Sequence, residues 1–222
     1  MTPTIIKNAT LYNCDCMELM KTFADKQFDL AIVDPPYGIH DKLLTSDKSV
    51  NKSNKFALMY QEKNWDRERP SLDYFNELRR VSKNQIICGG NYFADLLPAS
   101  RGWAMWDKEG DNLTVVNNEL IWTSFDKSIK MFRRCHGLDK GFMNKDGKNI
   151  HPTQKPIKLY EWIIANYAQD GQSILDTHLG SGSIAVACNN MGFNLTACEL
   201  DEEYFQAACK RIKSESAQER LF

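Results

Sequence analysis

Seven short apolar runs, most of them separated by segments of helical periodicity, constrain this chain more than any other feature. The runs are Thr10–Asn13, Phe28–Val33, Gln85–Cys88, Gly102–Trp106, Glu119–Thr123, Ser173–Leu175 and Leu195–Cys198. Helical patterns fall at Met17–Ala24, Leu72–Arg80, Ile157–Tyr167, Ile184–Met191 and Glu202–Ile212. In the last of these, Tyr204, Ala207, Ala208, Arg211 and Ile212 are spaced for one helix face. Strands alternating with helices predict an α/β fold with a mainly parallel sheet. In such a sheet the short apolar runs are core, and chemistry belongs to their ends.

At 222 residues, with 42% hydrophobic and 26% charged, the chain suits a single globular domain spanning 1–222. It has no run of about 18 apolar residues, which argues against a membrane span. The start, MTPTIIKNATLYNCD, lacks the basic and apolar pattern of a signal peptide, so the expected location is the cytoplasm. The seven cysteines are scattered without a Cys-x-x-Cys pair, so free thiols are expected and no metal site.

Net charge is only −1, but its distribution is uneven. From Lys127 to Lys158 there are nine Lys/Arg against two acids, a net of +7; Lys42 to Arg69 carries +3. Local basic surface on a neutral protein steers and holds a polyanion. Two irregular stretches overlap these regions: a polar insertion, expected to be mobile, at His40–Asn64, and a short basic segment at Lys127–Asn149.

Two strand ends carry chemical groups. Ser173-Ile-Leu-Asp176-Thr-His-Leu-Gly180-Ser-Gly182-Ser reads as strand, acid, glycine turn and helix start. Glycines there let a ligand approach the backbone. The next strand ends in Glu199, nineteen residues after Gly180, where an acid can bind the two ribose hydroxyls of an adenosine. The glycine spacing alone also fits a nicotinamide dinucleotide. Before the preceding helix, His151-Pro-Thr153-Gln-Lys155-Pro offers a hydroxyl and an ammonium suited to a carboxylate such as that of a methionine moiety.

The other end is Asp29-Leu-Ala-Ile-Val-Asp34-Pro35-Pro36-Tyr37-Gly38, an apolar strand running into a rigid turn. It presents a carboxylate, the Pro35 carbonyl and an aromatic ring together. Two such acceptors can take both hydrogens of a planar exocyclic amine and draw its nitrogen toward tetrahedral geometry. The freed lone pair can then attack a sulfonium methyl in line, with Tyr37 stacking on the base. Neither a metal nor a covalent intermediate is required.

Several of these strings in this order resemble the DNA amino-methyltransferases, specifically the permuted (beta-class) group in which the catalytic motif precedes the cofactor motif. The resemblance runs from Leu11-Tyr-Asn-Cys-Asp15-Cys-Met-Glu18-Leu and Asp34-Pro-Pro-Tyr37 through Gly89-Gly-Asn91-Tyr-Phe93 and Trp103-Ala-Met-Trp106-Asp107-Lys108. It continues through Glu119-Leu-Ile-Trp122-Thr and His151-Pro-Thr-Gln-Lys155-Pro to the glycine loop and Glu199-Leu-Asp-Glu-Glu-Tyr204. It implies a seven-stranded Rossmann-like fold, S-adenosylmethionine as cofactor, and a DNA base flipped into the pocket. It also implies that Asp176, Gly180, Gly182 and Glu199 bind the cofactor, with Asp15 at its adenine and Thr153 and Lys155 near its carboxylate. Asp34, Pro35, Pro36 and Tyr37 are the implied catalytic residues. An Asp at the first position resembles the adenine-N6 enzymes more than the cytosine-N4 ones. Double-stranded DNA and a homodimer are the expected partners. The chain departs from the family pattern at Asp176-Thr-His178, where Asp-Pro-Phe is usual, and in its short recognition region. Cytosine-N4 methylation, methylation of a protein glutamine and an idle DNA-binding module are the alternatives.

Overall fold

The computed structural model of the protein describes residues 1–39, 68–108, 118–133, 150 and 154–217. The expected insertion at 40–64, most of the basic segment (134–149) and Thr153 lie outside them.

Nine strands form one mixed sheet among the described residues: β1 (Thr4–Ile6), β2 (Ala9–Asn13), β3 (Phe28–Val33), β4 (Ser82–Cys88), β5 (Trp103–Asp107), β6 (Asn118–Thr123), β7 (Lys130–Arg133), β8 (Ser173–Asp176) and β9 (Asn194–Glu199). Their order is β1-β2-β9-β8-β3-β4-β6-β5-β7. All seven expected strands are present. The two extra ones, β1 and β7, are edge strands of three and four residues, too short to show a pattern in the sequence. The helices are α1 (Cys16–Met20), α2 (Leu72–Val81), α3 (Ile157–Tyr167), α4 (Ser183–Met191) and α5 (Glu202–Ser216). Helix α1 is shorter than its predicted Met17–Ala24. There the chain tightens into i→i−3 bonds, Thr22 N to Leu19 O at 3.0 Å and Phe23 N to Met20 O at 3.0 Å.

Strand alternation builds two cores. From β3, Leu30 and Ile32 pack with Ile163 of α3, Ile184 of α4 and Ile212 of α5. Ala31 and Val33 turn to the opposite face, against Met20 of α1 and Tyr74, Phe75 and Leu78 of α2. The sheet is therefore covered on both sides, which explains why its central strands are continuously apolar.

Direction decides where the site lies. Strands β2, β9, β8, β3 and β4 are mutually parallel, so their C-terminal ends share one edge. Strand β6 runs antiparallel to both β4 and β5. Its first residues and the end of β5 therefore meet at that same edge. Residues distant in the chain, from Asp15 to Glu199, are gathered there.

Candidate active site

A cavity of about 350 Å³ opens at this edge, lined by Asp15, Asp34, Lys155, His178, Gly180 and Glu199 among others. One half is built from two loops. After β8, the Asp176 carboxylate accepts the His178 amide at 3.0 Å and bends the chain toward Gly180. Gly182 takes a left-handed φ of +76° at the N-cap of α4, and a Cβ there would lie 2.9 Å from Ile212 Cδ1. Glu199 holds the loop from the next strand. Its Oε2 accepts Gly180 N at 2.9 Å and its Oε1 accepts Asp201 N at 3.0 Å. Burial raises the Glu199 carboxyl above its usual range, while the Asp201 and Gly180 amides oppose that rise. Asp15 caps α1, accepting Met17 N at 2.8 Å and Glu18 N at 3.1 Å, while also lining the cavity. Asp176 and Gly182 shape the loop and lie outside the cavity lining.

Asp176 is buried, and burial pushes its carboxyl up to about 8. Burial pushes the neighbouring His178 down to about 4. Folded Asp176 keeps a proton that the unfolded chain has already lost. Its contribution to stability is complete below the unfolded carboxyl pKa and disappears as pH rises through about 8. His178 acts with the opposite sign, but only up to the ordinary imidazole pKa of about 6.5. Between about pH 6.5 and 8 the protein is therefore expected to lose stability as pH rises, by up to about 1.4 kcal/mol per pH unit. Asp176→Asn is expected to flatten that slope. Urea midpoints measured across this range check it, and a pH-independent wild-type midpoint would refute it.

The other half of the cavity is a buried charge cluster. Lys155 Nζ lies 2.6 Å from Asp34 Oδ2 and 3.1 Å from Glu119 Oε1. Lys108 Nζ reaches Glu119 Oε2 at 3.2 Å. The Tyr37 hydroxyl donates to Asp34 Oδ1 at 2.7 Å and stands 3.2 Å from Glu119 Oε1. Burial raises the Asp34 carboxyl; the Lys155 ammonium pulls it back and the Glu119 carboxylate pushes it up again. Desolvation pushes the largely shielded Glu119 carboxyl up, but Lys155 and Lys108 together bring it below its ordinary value. Burial and both carboxylates raise Tyr37, so its phenol stays protonated and donates.

The ring of Tyr37 already has a stacking partner within the protein, which the sequence did not suggest. It stacks on Tyr92, with centroids 4.7 Å apart and an interplanar angle of 13°. It also lies against the backbone of Gly89, where a Cβ would fall 2.3 Å from Tyr37 Cε1. Of the tetrapeptide, Asp34 and Pro36 line the cavity, and Tyr37 supports Asp34 from behind.

Glu119 and Lys108 received no role from sequence reasoning. The available signal was an acid opening the otherwise apolar Glu119-Leu-Ile-Trp122 and a lysine following Trp103–Asp107. Lys155 was expected at a cofactor carboxylate, but its ammonium turns to Asp34 and Glu119. Its carbonyl accepts Ser183 Oγ at 2.7 Å, and buried Arg211 donates to that same Oγ at 2.9 Å.

The donor set suits S-adenosylmethionine. An acid with further acceptor capacity at Glu199, and a cavity joining it to Asp34, provide for a nucleoside and a reactive tail. Comparison with known proteins agrees. The DNA methylase family profile matches residues 99–210, half of the chain, spanning Glu119, Lys155, the glycine loop and Glu199. The type II methyltransferase M.HpaI of Haemophilus parainfluenzae is 22% identical over 230 residues, 90% of this chain and 73% of its own length. The crystal structure of the M1.HpyAVI–SAM complex superposes with a TM-score of 0.60 at 22% identity, covering 91% of this chain and 99% of that one. The cytosine-N4-specific PvuII DNA methyltransferase superposes with a TM-score of 0.61 at 12% identity, over 97% and 88%. The fold, the order of catalytic and cofactor ends and the family match lead to one conclusion: this chain belongs to the S-adenosylmethionine-dependent DNA methylases that modify adenine N6 or cytosine N4.

Proposed function

We propose that the protein methylates adenine N6 in double-stranded DNA, on a base flipped into the cavity beside Asp34. The observation that carries this reading is the Asp34 carboxylate at the cavity wall, held by Tyr37 and Lys155 at the C-terminal end of β3. When bound, S-adenosylmethionine supplies a methyl group on a sulfonium. Asp34 and the Pro35 carbonyl accept the hydrogens of the exocyclic amine, Pro36 forms the wall, and Tyr37 fixes Asp34. Glu199 takes the ribose hydroxyls, Asp15 lies at the adenine, and the Gly180–Gly182 loop shaped by Asp176 wraps the tail. Thr153, two positions before Lys155 in the chain, is assigned to the cofactor's carboxylate. Adenine is favoured because the tetrapeptide begins with Asp.

In this reading the chain is one methyltransferase domain, acting in the cytoplasm as a homodimer, with the positive charge of its basic stretches attracting DNA. No helix among the described residues is long and apolar enough to cross a membrane. The test is incubation with methyl-labelled S-adenosylmethionine and mixed-sequence duplex, followed by digestion to nucleosides. Label is expected in N6-methyladenine. Label in N4-methylcytosine overturns the choice of base, and label in RNA alone overturns the choice of nucleic acid.

A further inference from the structure

Lys155 is 5% exposed, and its ammonium has three acceptors: Asp34 Oδ2 at 2.6 Å, Glu119 Oε1 at 3.1 Å and the Tyr37 hydroxyl at 3.1 Å. An ammonium has three hydrogens, so these partners account for all of them. The backbone is pinned as well, through Ser183 Oγ to the Lys155 carbonyl and Arg211 to Ser183. Glu119 in turn is gripped from its far side by Lys108.

Two carboxylates this close in a desolvated site cannot both ionise unless a cation lies between them. A protonated Asp34 would present a donor where the target amine needs an acceptor. We propose that Lys155 is a positioning residue for methyl transfer: its ammonium holds Asp34 as an oriented, charged acceptor, and Glu119 shares that ammonium and so limits its grip on Asp34. This rests on Asp34 being the acceptor for the target amine. The groups facing Asp34 are Lys155 before α3, Glu119 of β6, Tyr37 of its own turn, Cys88 of β4, Asp176 of β8 and Tyr160 of α3. Lys108 acts on it through Glu119. The Lys155 ammonium is raised by both carboxylates against its burial and stays charged throughout the working range. Asp176 titrates on the alkaline side, near 8.

The two charges act on Asp34 with opposite signs, and that is what the test uses. Single-turnover methyl transfer is followed against pH at saturating S-adenosylmethionine and DNA for wild type, Lys155→Met, Lys155→Arg and Glu119→Gln. Binding of S-adenosylhomocysteine and of 5′-methylthioadenosine, which lacks the amino-acid carboxylate, is measured by calorimetry. Lys155→Met is expected to move the acid limb up by about 1–3 pH units, and Glu119→Gln to move it down. Lys155→Arg is expected to restore most of the wild-type profile, and the ratio of the two ligand affinities to stay within about threefold in every variant. Should Lys155→Met fail to fold, the direction of the Glu119→Gln shift decides alone. Acid limbs that do not move, or that move the same way in both variants, overturn the proposal. So does a tenfold loss of S-adenosylhomocysteine binding in Lys155→Met with 5′-methylthioadenosine unaffected, which would assign Lys155 to the cofactor's carboxylate. A wild-type protein that transfers no methyl group at all would instead overturn the role given to Asp34.

Discussion

Asp34→Asn is expected to lower the rate of methyl transfer by about 10²–10³-fold while leaving cofactor affinity within a few-fold of wild type. The carboxylate offers two oxygens, one engaged by Tyr37 and one by Lys155, and retains lone pairs for the amine. An asparagine keeps one oxygen acceptor and replaces the other with a donor, aimed at the hydrogens it must accept. Stabilisation that exists mainly in the transition state is lost, so the rate falls more than binding does. The fold is expected to survive, because Lys155 still has Glu119 at 3.1 Å and is not left as an unpaired buried charge. Single-turnover assays with calorimetric cofactor binding check both halves. A variant that turns over normally would remove Asp34 from the mechanism.

Glu199→Ala is expected to act at the other half of the cavity and with the opposite profile. The side chain accepts the amides of Gly180 and Asp201, so it holds the loop and still has lone pairs for two ribose hydroxyls. Hydrogen bonds to a charged group contribute about 1.5–3 kcal/mol each. Losing two of them weakens cofactor binding by about 10²-fold or more, and frees the Gly180 amide as well. Methyl transfer at saturating cofactor is expected to fall much less. Calorimetric titration with S-adenosylhomocysteine provides the measurement; affinity within threefold of wild type would exclude Glu199 from the ribose site.

Much of this architecture was legible in the residues. The central strands announce themselves because burial on both faces demands continuous apolar runs, as in Asp29-Leu-Ala-Ile-Val. The glycine loop stands out because a left-handed backbone and close packing, as at Gly182 with φ +76° against Ile212, admit few residue types. The edge strands β1 and β7 were not, since three or four residues carry no usable period. Lys155 shows the limit most plainly. Its sequence neighbours place it beside the cofactor helix, yet its side chain crosses to a carboxylate 121 positions earlier.

By itself the sequence determined the α/β class, the strand ends that bear acids and glycines, and the Asp34-Pro35-Pro36-Tyr37 turn. These follow from local rules: side-chain period, proline's fixed φ and glycine's tolerance of left-handed backbone. Only the tertiary structure decided that Glu119 and Lys108 join Asp34, that Tyr37 stacks on Tyr92, and that Lys155 spends its ammonium on two carboxylates. The physical reason is strand direction. Because β6 runs antiparallel to β4 and β5, its first residue pairs and the last residues of its neighbours fall at one edge. Buried charges gathered there must neutralise one another, a requirement of the folded interior that no local pattern records.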